Sequence, residues 1–456
     1  MLRLSGGQVE SLFDLGLPIE VRELPADLAA LDRLLEGTAL LEPIARAWDP
    51  VALVQGRPTI PMDRFVRLML VKQRSGWGYE TLVREVSDSL HLRRFCLIAL
   101  AERVPDESTI RKLARRLGPE VIEEICRALI ASATTGRGRF VARAARIDST
   151  VVEADVRYPT DLGLAADATD ALARQAARVR HLAGEGAPRV ANRSRSVNMR
   201  LRTLNRTLAR RTGQGSAVAL RLTGQAGAIV ARSIRDSRAL AGALRARARG
   251  RGARAKLAAA ARLEQIAERA TTVCRQIRQR VAGERIGDRL VSIADPDARP
   301  IRKGKLRQPT EFGYVFQLAE LTESTRRGAR GLILPAATRI GAAAESDLLP
   351  TTAADMTRLG LCPRELALDG GFFPSGVAEH LPGVQRAFIA GRQSAGSRRT
   401  NRRLARYRVG CEGRISHLKR RYGLRRSRLR GHLGARTWVA WGILAYNLDT
   451  LAIRGA

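Results

Sequence analysis

The sequence is short of aromatic residues, of acids and, among its bases, of lysine. Aromatics are 4% of the 456 residues, and 44 Asp and Glu stand against 80 Lys and Arg, a formal net charge of +36. Six of those 80 bases are lysines, at positions 72, 112, 256, 303, 305 and 419. Cysteine is sparse and scattered. Cys96, Cys126, Cys274, Cys362 and Cys411 form no Cys-x-x-Cys pair and no cluster with histidine, which excludes a structural zinc site and suits a reducing cytosol. No apolar run reaches the roughly 18 residues that a membrane span needs. Met1 to Leu17 already contain Glu10 and Asp14 and no sustained apolar stretch, so no signal peptide is expected. Extracellular, membrane and collagen-like classes are thereby disfavoured, and a cytoplasmic protein is expected.

What is present points to a folded, basic protein. Apolar residues are 45% of the chain, enough for a buried core, and the length predicts two or three domains. The preference for Arg over Lys, with abundant Ala and Gly, matches coding bias in a GC-rich genome. That bias selects between two cations and does not create the surplus of positive charge. The surplus predicts a polyanionic partner, nucleic acid first, because each phosphate neutralised releases condensed counterions.

Along the chain, Phe65, Leu68, Met69 and Val71 form one helical stripe, and Tyr79, Leu82, Val83 and Val86 a second, with Gly76-Trp77-Gly78 between them. Pro105 to Thr109 predict a helix start capped by Asp106 or Ser108, with Ile110, Leu113 and Leu117 carrying the helix to Gly118. Its basic residues, Arg111, Lys112, Arg115 and Arg116, suit a helix-turn-helix-like DNA module, and equally a plain bundle with a solvated basic face. Residues 139–156 predict a strand or hairpin around Asp148. Residues 163–282 predict several long helices joined near Gly184–Gly186, Gly213–Gly215 and Gly250–Gly252. Strand character returns over 289–322 and 330–341, including Leu290 to Ile293. A helix is expected over 351–360, a buried strand over Glu365–Leu368 ending in Asp369 and a glycine turn, a short helix near 375–381, and a strand over Arg386–Ala390. Helices are expected over 400–420 and at the apolar C-terminus, where Trp438 and Trp441 read as core packing.

Asp148, Asp369 and Glu412 are the candidate catalytic set. Phosphodiester chemistry with two divalent cations needs carboxylates that hold two Mg2+ (or Mn2+) roughly 3.5–4 Å apart. Between Arg398 and Arg430 there are fourteen Lys and Arg and one acid, Glu412. On a helix, Arg408 and Lys419 fall near the Glu412 face, where they would contact phosphates. A lone surface ion pair is the plainer reading of Glu412. Glu153, Asp155, Asp295 and Asp297 are reserve ligands.

These stretches together resemble the DDE transposases of bacterial insertion sequences, close to the ISNCY group. The resemblance rests on Pro105-Asp-Glu-Ser-Thr109, Ile147-Asp-Ser-Thr-Val-Val-Glu-Ala-Asp155, Tyr158-Pro-Thr-Asp161, Ile293-Ala-Asp-Pro-Asp-Ala-Arg299 and Lys303-Gly-Lys305. It continues through Phe312 to Glu320, Leu368-Asp-Gly-Gly-Phe372, Glu412-Gly-Arg-Ile-Ser-His-Leu-Lys419 and Ala445-Tyr-Asn-Leu448, and covers about 61–160 and 288–450. It implies an α/β RNase H-like catalytic core, a mixed sheet with flanking helices, whose triad is Asp148, Asp369 and Glu412. It also implies an N-terminal all-α DNA-binding domain for transposon ends. The expected layout is an N-terminal segment over 1–60, a helical domain over 61–135, a catalytic domain over 139–162 and 286–456, and a helical insertion over 163–285. Related transposases carry Tyr-x2-Arg-x3-Glu-x6-Lys around the Glu. Arg408, Glu412 and Lys419 fit it, Ala405 occupies the Tyr position, and Tyr407 stands two residues later.

The function so implied is Mg2+-dependent cleavage at element ends and strand transfer into target DNA, on the bacterial nucleoid and in a dimer or larger assembly. Arg408, Lys419, Arg420, Arg421, Arg425 and Arg426 would contact DNA near the cut. Ser108, Thr109, Arg111 and Lys112 would contact the terminal repeats. The alternatives are a non-catalytic nucleic-acid-binding protein, with the three carboxylates scattered in space, and an RNase H-like nuclease without strand joining.

Overall fold

The computed structural model describes residues 1–7, 14, 16–48, 50–54, 56–136, 138–209, 215–302, 310–341, 343–393 and 396–455; Lys303 to Lys305 lie outside them. The chain forms two compact units, Met1–Asp155 with Tyr314–Ala456, and Val156–Gly313.

The first unit includes, in chain order, α1 (Ala26–Leu34), α2 (Glu42–Ala47), α3 (Met62–Ser75), α4 (Tyr79–Asp88), α5 (Leu90–Phe95), α6 (Glu107–Ala133) and strand β1 (Ala144–Glu153), with short helices at Ile19–Arg22 and Pro50–Val54. Asp106 caps α6, accepting from the Thr109 N–H at 3.0 Å. The expected stop at Gly118 is a kink instead: Gly118 has φ 68°, Pro119 follows, and the helix resumes to Ala133. The 61–135 region does not stand apart as a domain. Every residue of α3 from Met62 to Gln73 is buried, including Arg64, Arg67 and Lys72. A helix buried all round needs cover on each face, and part of that cover comes from the other end of the chain. Phe65 meets Trp441 edge-on at 6.0 Å, and Gln73 Nε2 donates to the Tyr422 carbonyl at 2.6 Å; on α6, Cys126 Sγ accepts from Asn447 Nδ2 at 3.3 Å.

The second unit holds α7 (Asp161–Ala183), α8 (Ser194–Ala209), α9 (Gly215–Ala246) and α10 (Ala253–Val281). On α9 the buried positions Leu222, Ala226, Val230, Ser233, Ser237, Leu240 and Leu244 recur every three or four residues. That repeat makes one continuous seam, and small side chains along it let the helices approach closely. Leu290 and Ile293, expected in a strand, pack into this helical core beside Ile229 and Ile277. Apolar residues satisfied by helix faces have no need of a strand partner. The unit closes on Asp161, which pairs with Arg280 at 3.2 Å and Arg289 at 2.8 Å. It therefore takes in residues 286–313, beyond the compositional block at 163–285. Strand β2 (Arg299–Arg302) pairs antiparallel with the first residues of β3 (Thr310–Thr322), Arg299 opposite Gly313.

The rest of the first unit comprises β3 from Tyr314 on, β4 (Leu332–Ile333), β5 (Ala337–Thr338), α11 (Glu345–Arg358), β6 (Glu365–Leu368), α12 (Pro374–His380), β7 (Arg386–Ile389), α13 (Arg398–Arg421) and α14 (Gly431–Gly455). Its sheet runs β3, β1, β6, β7. Strands β1, β6 and β7 are mutually parallel, and β3 takes β4 and β5 antiparallel. The strand character expected over 330–341 reduces to these two short pairings. From β1 the chain continues to β3 on one side and later to β6 on the other.

Candidate active site

Strands β1 and β6 pair in register from Ala144 opposite Glu365 to Ile147 opposite Leu368. The next residue on each is an aspartate, Asp148 and Asp369. Asp148 is buried, and its Oδ1 accepts from the Ser149 N–H at 2.7 Å. Asp369 opens the glycine turn and is half-exposed. A third carboxylate, Glu345 at the first turn of α11, joins them: one oxygen from each of Asp148, Glu345 and Asp369 lies within 4.8 Å of the others.

Glu345 is absent from the sequence-derived set, and long-range contacts hold it there. Buried Gln317 on β3 donates from Nε2 to the Glu345 carbonyl at 2.8 Å, and Thr352 Oγ1 donates to Gln317 Oε1 at 2.7 Å. A β-carbon at Gly371 would overlap the Glu345 carboxylate, so the second glycine of Asp369-Gly370-Gly371 makes room for it.

Glu412 is not in that carboxylate group. It lies on α13 with its side chain 64% exposed, and Arg408 links it to the group. Arg408 Nη1 is 3.3 Å from Asp369 Oδ1, and Nη2 is 3.6 Å from Glu412 Oε1. One guanidinium thus spans two of the three sequence-derived acids. Half-buried Lys419 lies two turns beyond Glu412.

A buried ionic network seats α13 on the sheet. Arg146 on β1, two residues before Asp148 on the same strand face, donates from Nε to Glu320 Oε2 at 2.7 Å and from Nη1 to the Tyr407 carbonyl at 3.1 Å. Arg414 Nε donates to Glu320 Oε1 at 2.8 Å. A β-carbon at Gly410 would strike the Arg146 guanidinium and the Arg327 carbonyl, so only glycine lets α13 come this close. Tyr407 is fully buried, its hydroxyl 2.6 Å from Thr322 Oγ1, and burial pushes its ionisation up. That places Tyr407 in the packing between α13 and β3.

The other expected DNA contacts differ in availability. Ser108 and Thr109 turn their hydroxyls onto Asp106 at 2.6 and 3.0 Å, which with the Thr109 N–H holds that carboxyl low, at about 2. Arg111 pairs with Glu107 at 3.1 Å, while Lys112 is exposed. Arg420, Arg421 and Arg425 are exposed, and Arg426 pairs with Glu153 at 2.9 Å, which engages that reserve acid. Asp155 is exposed, and Asp295 and Asp297 belong to the second unit.

The donor set of Asp148, Glu345 and Asp369 is all carboxylate oxygen. Hard oxygen donors of this kind suit Mg2+ or Mn2+ and do not suit a zinc site built on thiolate or imidazole.

A family model described as Transposase domain (DUF772) matches residues 21–116. The match supports a transposase family and a DNA-processing enzyme. It covers α1 to α5 and the start of α6, not the carboxylates. None of the curated proteins matches the chain. No solved structure matches it either.

Proposed function

We propose that the chain is a DDE-type transposase that cuts DNA at the ends of its element and joins them to target DNA. The observation that carries this reading is the carboxylate group on adjacent strands, Asp148 and Asp369 with Glu345 beside them. The matched transposase domain at 21–116 supports it independently. Two Mg2+ or Mn2+ ions, held by Asp148 and Asp369 with Glu345 and Glu412 completing the donor set, would activate the attacking oxygen and stabilise the leaving one.

The chain's own residues then have distinct tasks. Asp148, fixed within β1, sets the position of the group. Asp369, on the turn, adjusts to the DNA. Arg408 pairs with Asp369 and Glu412 in the absence of cations and turns to a phosphate when DNA arrives, with Lys419 further along the same helix. Water opens the first phosphodiester and leaves a 3′-hydroxyl. That hydroxyl attacks a target phosphorus in line and displaces the target's own 3′-oxygen. Both steps use one site and need no covalent enzyme intermediate. Synapsis of two ends calls for a dimer or larger assembly.

The test is joining. The full chain is incubated with Mg2+, a plasmid, and duplexes carrying the DNA that flanks its own coding region. Duplexes covalently joined to plasmid support the transposase. Cuts at the same ends with no joining would make it a nuclease, and neither product would leave a DNA-binding protein.

A further inference from the structure

The first unit contains a second charged feature, away from the carboxylates. An open cleft of about 1210 Å³ lies between the 324–327 turn after β3 and the first three turns of α13. Arg326 and Arg327 line one wall, and Arg398, Arg399, Arg402 and Arg406 the other. All six are exposed, and none has a carboxylate within 4 Å among the described residues. Arg403 differs. It sits at the base, paired with both oxygens of Glu365, and this pairing holds that carboxyl below its usual range.

Six uncompensated guanidinium groups around one cleft repel one another, and the positive end of the α13 dipole adds to the repulsion. The first turn of α13 holds no acid to offset it. Such an arrangement is relieved by a polyanion. The lining also says which kind. It contains Ser324, Thr325 and Thr400 hydroxyls but no aromatic ring. Single-stranded nucleic acid is held largely by bases stacked on aromatic side chains. A cleft with cations and hydroxyls alone contacts phosphates, the sequence-neutral part of a duplex.

Its position is set by β6. Arg403 pairs with Glu365 at the start of that strand, and Asp369 follows its end. Asp369 stands four residues beyond Glu365, about 13 Å along the strand. That is roughly four base-pair steps of duplex at 3.4 Å each.

We propose that this arginine cleft is a second DNA contact, which grips the duplex backbone about four base pairs from the phosphodiester at the carboxylates. The proposal rests on the reading that the carboxylates act on DNA, and its test is chosen to be independent of cleavage.

The test measures binding of a 30-base-pair duplex to the full chain in EDTA, as a function of salt. Removing one cation that neutralises a phosphate lowers the log–log salt slope by roughly 0.9. Arg399→Glu/Arg402→Glu is expected to lower the slope by about 2 on the 30-base-pair duplex. Arg33→Glu/Arg46→Glu, the same charge change on exposed arginines elsewhere, controls for net charge. A cleft variant whose slope equals that of this control would overturn the proposal. Arg402→Gln, a milder change, gives the same reading with a slope change near 1 if the double reversal impairs folding. Loss of cleavage chemistry in any assay leaves these slopes unaffected, so the two ideas fail separately.

Discussion

Asp148 and Asp369 occupy matching positions on adjacent parallel strands, each one residue beyond the paired Ile147 and Leu368. Parallel in-register pairing brings side chains at equal positions to the same edge of the sheet. The two carboxylates are therefore neighbours although 221 residues separate them in the chain. Like charges this close favour a bound cation.

Glu345 supplies the third oxygen of that group. Glu345→Gln keeps the size and the contact with Gly371 but removes the charge. The expected result is about a tenfold or greater loss of Mn2+ affinity, read by titration of the full chain, with the thermal midpoint unchanged. Glu412→Gln, on the exposed side of Arg408, is expected to weaken Mn2+ binding less in the absence of DNA. Equal effects would place both acids around the same ion.

The central strands were legible in the sequence because a short apolar run ending in Asp and two glycines has few other readings. Glu345 was not. In Ala343-Ala344-Glu345-Ser346 it looks like any acid in a first helical turn, where the dipole favours one. Only Gln317 and Gly371, distant in sequence, turn it toward the strands. Leu290 to Ile293 misled for a related reason: a short segment with three apolar residues in four suits a strand or a helix-packing segment alike. The stripe on α3 was visible, but not the partner that covers it, because the C-terminal helix lies more than 350 residues further along.

Arg408 bridges Asp369 and Glu412. A fixed cation beside a metal site opposes the metal and favours a phosphate. Arg408→Gln is therefore expected to move two affinities in opposite directions. Mn2+ affinity should rise roughly three- to tenfold, and duplex binding should weaken with a salt slope lower by roughly 0.9. Parallel changes in both would indicate a folding effect instead.

Lys72 is buried on α3 between the rings of Tyr79 and Trp438, each 4.8 Å from Nζ. Burial, with Arg428 adding repulsion, lowers its pKa from 10.5 to about 8. Below pH 8 the amine is charged in both folded and unfolded chains, and the folded state bears the full cost. Above pH 8 the folded state sheds the proton, and the cost disappears as pH approaches 10.5. Lys72→Met is expected to stabilise the protein by about 2 kcal/mol at pH 7, after allowance for the attraction of the two rings for the ammonium. The gain should shrink by pH 10. Denaturant midpoints at the two pH values check both the sign and the trend.

The most direct measurement is nicking of supercoiled plasmid by the full chain and by Asp369→Asn, with Mg2+ and with EDTA. Asn keeps the shape of the side chain and removes the charge that holds a cation. Nicking by the unaltered chain only in Mg2+, reduced about a hundredfold or more in Asp369→Asn with duplex binding retained, is the predicted result. Nicking that survives in Asp369→Asn at the original rate would contradict a catalytic role for the carboxylates on β1 and β6.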